Sequence, residues 1–103
     1  MVTRDDLIVV KMNDLHYRAH EMRNHLMQGD TLLLTHYRKP VAIIRPLSKS
    51  ARTPRDVVVR SITYVNRHRR EFSMELVEGT RIVFIYKGKK IALVDPDIPD
   101  HLL

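Results

Sequence analysis

Gly29-Asp30-Thr31-Leu32-Leu33-Leu34-Thr35-His36-Tyr37-Arg38-Lys39-Pro40-Val41-Ala42-Ile43-Ile44-Arg45-Pro46 and Gly79-Thr80-Arg81-Ile82-Val83-Phe84-Ile85-Tyr86-Lys87-Gly88-Lys89-Lys90-Ile91-Ala92-Leu93-Val94-Asp95-Pro96 are the two stretches whose comparison decides the fold. Each consists of a glycine, an apolar run, a short basic connection, a second apolar run and a proline. They lie 50 positions apart. Extending the comparison aligns residues 7–47 with 57–97 without a gap, and 7 of the 41 pairs are identical, among them Gly29 with Gly79, Lys39 with Lys89, Ala42 with Ala92 and Pro46 with Pro96. Fifteen pairs are apolar in both copies. Agreement of the apolar pattern, together with a shared glycine and a shared proline at fixed places, marks an internal repeat.

Each copy has the same order of elements. Residues 7–12 and 57–62 are short apolar runs rich in β-branched residues, which is strand chemistry. Asn13 and Thr63 follow, each offering a side-chain oxygen where the first helical amides need an acceptor, so both are expected as helix N-caps. The helical apolar period is Leu15, Ala19, Met22 and Leu26 in the first copy. In the second it is Val65, Phe72 and Leu76, with Arg69 interrupting the stripe. Gly29 and Gly79 fall where a left-handed helix C-cap belongs. Beyond them, residues 31–36 and 40–45 joined by Tyr37-Arg38-Lys39, and residues 81–86 and 90–94 joined by Lys87-Gly88-Lys89, are expected as β-hairpins. Gly88 serves a positive φ, and Arg38 at the matching place implies a different turn geometry in the first copy. Residues 48–56 carry no apolar period and are expected as a linker, long enough at ~3.3 Å per residue to bring the second unit alongside the first.

A unit of this size, one helix and three short strands, buries too little surface to stand alone. The two units, 7–47 and 57–97, are therefore expected to share one core within a single domain spanning residues 1–103. The expected class is α+β: two β-α-β-β units paired as a single-chain pseudo-dimer. Such a fusion removes the concentration dependence of a homodimer's stability.

Composition narrows the function. Eighteen Lys and Arg against twelve Asp and Glu give a formal net charge of +6, shared evenly between residues 1–50 and 51–103. That balance favours a polyanionic partner, nucleic acid ahead of a membrane surface. The apolar runs are strand-sized, so no membrane span is expected. Residues 1–6 carry Arg4, Asp5 and Asp6 and do not resemble a leader segment. Cysteine is absent, which removes thiolate chemistry and suits a reducing, cytoplasmic setting. His16 and His20 stand four apart on the first helix, a metal-compatible spacing without a third ligand, and are expected as surface polar groups. No phosphate-binding glycine loop, activated nucleophile or carboxylate pair points to an enzyme or to a cofactor.

The run Val10-Lys11-Met12-Asn13, the helix after it, and the Gly29-to-Ala42 stretch resemble the N-terminal, DNA-binding part of the Phd/YefM antitoxins. The resemblance covers residues 8–47 without a gap, and the second copy shares it through Gly79, Gly88, Lys89 and Ala92. It implies a dimeric arrangement that binds double-stranded operator DNA as a repressor, with cations near the helix start and in the hairpin against the duplex. The residues expected at DNA are His16, Arg18, His36, Arg38 and Lys39 in the first unit, and Arg67, Arg70, Lys87 and Lys89 in the second. His16, Asn66, His36 and Tyr86 stand where the family carries arginines, and their neighbours are expected to substitute. Family members also carry a C-terminal segment that neutralises a toxin; after the second hairpin this chain has only residues 97–103, and that segment is expected to be missing. The alternative expectation is a protein-interaction module, an antitoxin or an inhibitor of a host protein, that keeps the fold and has lost DNA binding.

Overall fold

The apolar runs before each helix and on either side of each basic connection are the raw material of a sheet, because β-branched and aromatic side chains fit a pleated, buried surface. In the computed structural model, which describes residues 2–4, 6–47 and 53–103, the elements in chain order are β1 (Val2–Arg4), β2 (Leu7–Lys11), α1 (Asp14–Tyr17), α2 (Ala19–Met27), β3 (Leu32–His36), β4 (Lys39–Pro46), β5 (Val57–Ser61), α3 (Ile62–Arg67), α4 (Arg69–Val77), β6 (Arg81–Tyr86) and β7 (Lys89–Asp95), followed by a 3-10 turn at Asp100–Leu102. The strands form one mixed seven-stranded sheet in the order β1-β2-β3-β4-β7-β6-β5. β2 runs parallel to β3 and β5 parallel to β6, each pair joined through its helices. All other neighbours are antiparallel. At the centre, β4 and β7 pair with Ile43 opposite Asp95, Ile44 opposite Val94 and Arg45 opposite Leu93. β1 was not expected from the sequence; it pairs antiparallel with β2 and covers that edge. Residues 48–52 of the expected linker lie outside the described residues, and residues 53–56 form no regular element.

Several local expectations are corrected. Each helix is broken once, at Arg18 (φ −125°, ψ 32°) and at His68 (φ −128°, ψ 49°). Their ψ values depart from the helical ~−42°, which bends the axis. The hydrogen bonds on both sides survive: the Arg18 and His68 amides donate to Asp14 and Tyr64 carbonyls at 2.8 Å, and their own carbonyls accept from Met22 and Phe72 at 3.0 Å. Neither glycine nor proline marks the break. Asn13 makes no side-chain cap; the Asp14 carboxylate instead accepts from the Lys11 amide at 3.0 Å. In the second half the cap is Ser61, whose hydroxyl accepts from the Tyr64 amide at 3.0 Å, and Thr63 lies inside α3. The glycine C-caps are as expected. Gly29 and Gly79 have φ of 88° and 87°, and the paired bonds of a Schellman motif form, Gly29 to Leu26 and Asp30 to His25, then Gly79 to Leu76 and Thr80 to Glu75.

The hairpin connections have two residues, not three, since Lys39 already pairs with His36 and Lys89 with Tyr86. Both turns have positive φ at both central residues, Tyr37 (52°) and Arg38 (65°), Lys87 (49°) and Gly88 (76°). A type I′ turn requires this because its backbone twist matches that of the flanking strands. The first turn therefore does not differ in kind from the second, although it lacks glycine.

Helices cover one face of the sheet. One core joins both halves there: Val10, Leu32, Leu34, Ala42 and Ile44 pack with Ile82, Phe84, Ala92 and Val94 beneath Leu15, Met22, Val65 and Phe72. α2 packs on β7 as well as β4, so the helix of one half seals the strand of the other. On the opposite face, Leu33 and Ile43 are covered by Ile98 and Leu102 of the C-terminal segment. That explains why Leu32, Leu33 and Leu34 are all fully buried despite strand alternation. Beyond the core, β5 is a sheet edge, and the Arg60 guanidinium blunts it by bonding the Val59 carbonyl at 3.1 Å and Glu75 at 3.4 Å. Among the described residues, no helix is long and apolar enough to cross a membrane.

Candidate nucleic-acid interface

A row of elements connects the two hairpin tips. The Met12 amide donates to the Thr35 carbonyl at 2.9 Å, which sets the start of α1 beside the tip of the first hairpin. α1 in turn touches α3. Ser61, immediately before α3, pairs with Ile85, next to the tip of the second hairpin. The order is thus tip, α1, α3, tip. Arg69, which interrupts the helical apolar stripe in the sequence, crosses between the halves and donates to the Asn13 side-chain oxygen at 3.1 Å.

The expected contact residues fall along this row unequally. Arg38 and Lys39 of the first tip, and Lys87 and Lys89 of the second, are exposed, as are Arg67 at the end of α3 and Arg70 in the first turn of α4. None of these six makes an ion pair with another described residue. Lys87 lies 5.4 Å above the Tyr86 ring. His16 is exposed, with its ring edge-on to Tyr17 at 4.7 Å. Arg18 is half exposed and shared between Asp14 at 3.9 Å and Glu21 at 3.8 Å. At those distances and exposures the pairs hold it loosely. His36 differs from the rest: it is half-buried, its ring 4.3 Å from that of Tyr37, and it lines an apolar pocket against α4.

The residues at the remaining arginine positions of the family are also turned inward. Asn66 is half-buried, and its Oδ1 has no partner among the described residues. Tyr86 is half-buried under the Arg23 guanidinium, whose Cζ stands 3.8 Å from the ring centroid. A hydrogen bond from Arg23, and the charges of Arg23 and Lys87, hold the Tyr86 phenol below the ordinary tyrosine value.

Two residues were missed by sequence reasoning. Tyr37 is 86% exposed at the first tip and shares its positive φ with Arg38. Non-glycine residues in this conformation cost about 1–2 kcal/mol each, and such strain gathers at functional positions. The signal was available in the alignment of Tyr37-Arg38 with Lys87-Gly88. Tyr17, 77% exposed on α1, had no such signal. Among the described residues, no group of three or more His, Asp or Glu side chains could hold a metal ion.

No protein-family model matches the chain, and no curated protein or solved structure matches it either, so the likeness to Phd/YefM antitoxins rests on the residues quoted above.

Proposed function

We propose that this chain is a double-stranded-DNA-binding transcriptional regulator of the antitoxin type, in which two Phd/YefM-like units are fused into a pseudo-dimer. The observation that carries the reading is the row of tip, α1, α3 and tip, with cations at both ends that make no ion pair among the described residues and a strained aromatic-arginine turn at one of them. Phosphate contacts need such cations, and two like units presented by one molecule suit the repeated surface of a duplex. The repeat supports the two-fold relation. Exchanging positions 50 apart, 43 for 93 and 95 for 45, turns the Ile43–Asp95 rung into the Leu93–Arg45 rung, and the Ile44–Val94 rung returns itself. The net charge of +6 adds an attraction that does not depend on sequence.

Titration of the chain into duplex DNA at low and moderate salt tests this directly. Retardation that weakens steeply with salt is the expected result, and no retardation at low salt overturns the reading. In that event the protein-interaction alternative moves forward. One observation favours it: Met27 and Val77, 50 residues apart at the ends of α2 and α4, are 84% and 87% exposed. Paired apolar positions of this kind suit a protein partner such as a toxin.

A further inference from the structure

Beside the tip of each hairpin, a helix from the other half of the chain approaches the strand. Arg23 of α2 lies over the Tyr86 ring with its Cζ 3.8 Å from the centroid, a cation–π arrangement that bridges helix and strand. Fifty positions away on each side, Ser73 of α4 replaces Arg23 and His36 of β3 replaces Tyr86. The serine side chain is much shorter than the arginine it matches. What remains is a half-open pocket of about 190 Å³ lined by Met12, His36, Val41, Ser73, Leu76 and Val77.

The chemistry of the walls selects an occupant. Four of the six lining residues are apolar, and Ser73 and His36 are the two with polar side chains. An apolar cavity of roughly 150 Å³ holds one benzene ring, so the space suits a single ring bearing a small substituent. A thioether at Met12 and an imidazole at His36 both make favourable contacts with an aromatic face or edge. The matching place in the other half already holds a flat group, the Arg23 guanidinium, against a ring. We propose that this pocket binds a small neutral single-ring aromatic molecule of the size of phenol, held against His36 as the guanidinium is held against Tyr86. This site does not depend on the DNA-binding reading.

The test is a titration of the full chain, carrying labelled Met, Val, Leu and Ile methyl groups, with phenol followed by NMR. Saturable shifts of the Met12, Val41 and Val77 methyls are expected, with a Kd on the order of 1 mM or tighter for a ligand of this size. Ser73→Arg, which copies the filled arrangement, should weaken binding at least about tenfold, the loss of 1.4 kcal/mol. Arg23→Ser should open the matching pocket, adding shifts at Ile62, Ile91 and Met27. Should Ser73→Arg unfold the chain, Ser73→Met fills the same space without a charge and is expected to give the same loss. Absence of saturable shifts up to about 10 mM phenol, well above that Kd, overturns the proposal. Equal shifts in the unaltered protein and in a folded Ser73 variant overturn it as well.

Discussion

Ile44 and Val94 stand opposite one another in the central β4–β7 pair, both fully buried. They lie 50 positions apart in the sequence. The backbone ladder joins the halves at this rung, and the side chains enter a core drawn from both. α2 packs on β7 of the other half and α4 on β4, so each half helps to cover the apolar face of the other.

Ile44→Ala should therefore weaken the whole molecule at once. Removing a fully buried isoleucine side chain costs about 2–5 kcal/mol, the spread depending on how far the site collapses. Urea unfolding followed by tyrosine fluorescence and by circular dichroism should show one transition at a lower midpoint, coincident by both probes. Two separated transitions would mean two independent cores. Residues 1–50 alone should be unfolded or dimeric, and a stable folded monomer of that fragment contradicts the shared core.

Arg38→Gly should raise stability and lower DNA affinity together. Relief of the positive φ at Arg38 (65°) is worth about 1–2 kcal/mol, against about 0.4–1 kcal/mol lost because glycine loosens the unfolded chain. The net gain is about 0.5–1 kcal/mol, a few degrees in Tm for a chain of this length. A thermal melt and a DNA titration on the same sample decide the matter. A more stable protein with unchanged affinity would make the turn a structural oddity only.

The parts of the fold that repeat were legible, because the pairing of Leu32-Leu33-Leu34 with Ile82-Val83-Phe84 and of Gly29 with Gly79 carries strand and cap chemistry directly. The helix breaks at Arg18 and His68 were not, since no proline or glycine forces them and only backbone dihedrals record them. The Ser61 cap was hidden because Ser61 also completes a strand. At the candidate interface, charge and hairpin position located Arg38, Lys39, Lys87 and Lys89. The inward turn of His36 and Tyr86 depends on what packs beside them, Ser73 in one case and Arg23 in the other, and contacts between halves leave no local signal.

Tyr86 should lose its phenolic proton at a lower pH than an ordinary tyrosine. The hydrogen bond and charge of Arg23 favour the phenolate, so the folded-state value lies below the unfolded one. The linked stabilisation is full only above the unfolded value and is lost as the pH falls through the folded value. An NMR titration of the Tyr86 ring carbons at alkaline pH should show its midpoint below the ordinary tyrosine value, and Arg23→Gln should move it back up. A Tyr86 midpoint that Arg23→Gln leaves unchanged would remove Arg23 from contact with the phenol.

DNA affinity should fall with salt in proportion to the number of cations set against phosphates. Each neutralised phosphate releases counterions and adds ~0.9 to the slope of log affinity against log salt. The exposed, unpaired residues Arg38, Lys39, Arg67, Arg70, Lys87 and Lys89 give an upper count, and with roughly 4–6 of them engaged the slope is about −4 to −5. Alanine at Arg38, Lys39 or Lys89 should each reduce that slope by about one unit. Arg18→Ala should reduce it less, because its guanidinium is shared with Asp14 and Glu21. Arg45 supplies the control: it sits in the central pair beside Asp95, well along β4 from the tips, and its replacement should leave the slope unchanged. If Arg45→Ala lowers the slope as much as Lys39→Ala does, the binding is a diffuse response to net charge, and the row of tips and short helices is not the surface that meets DNA.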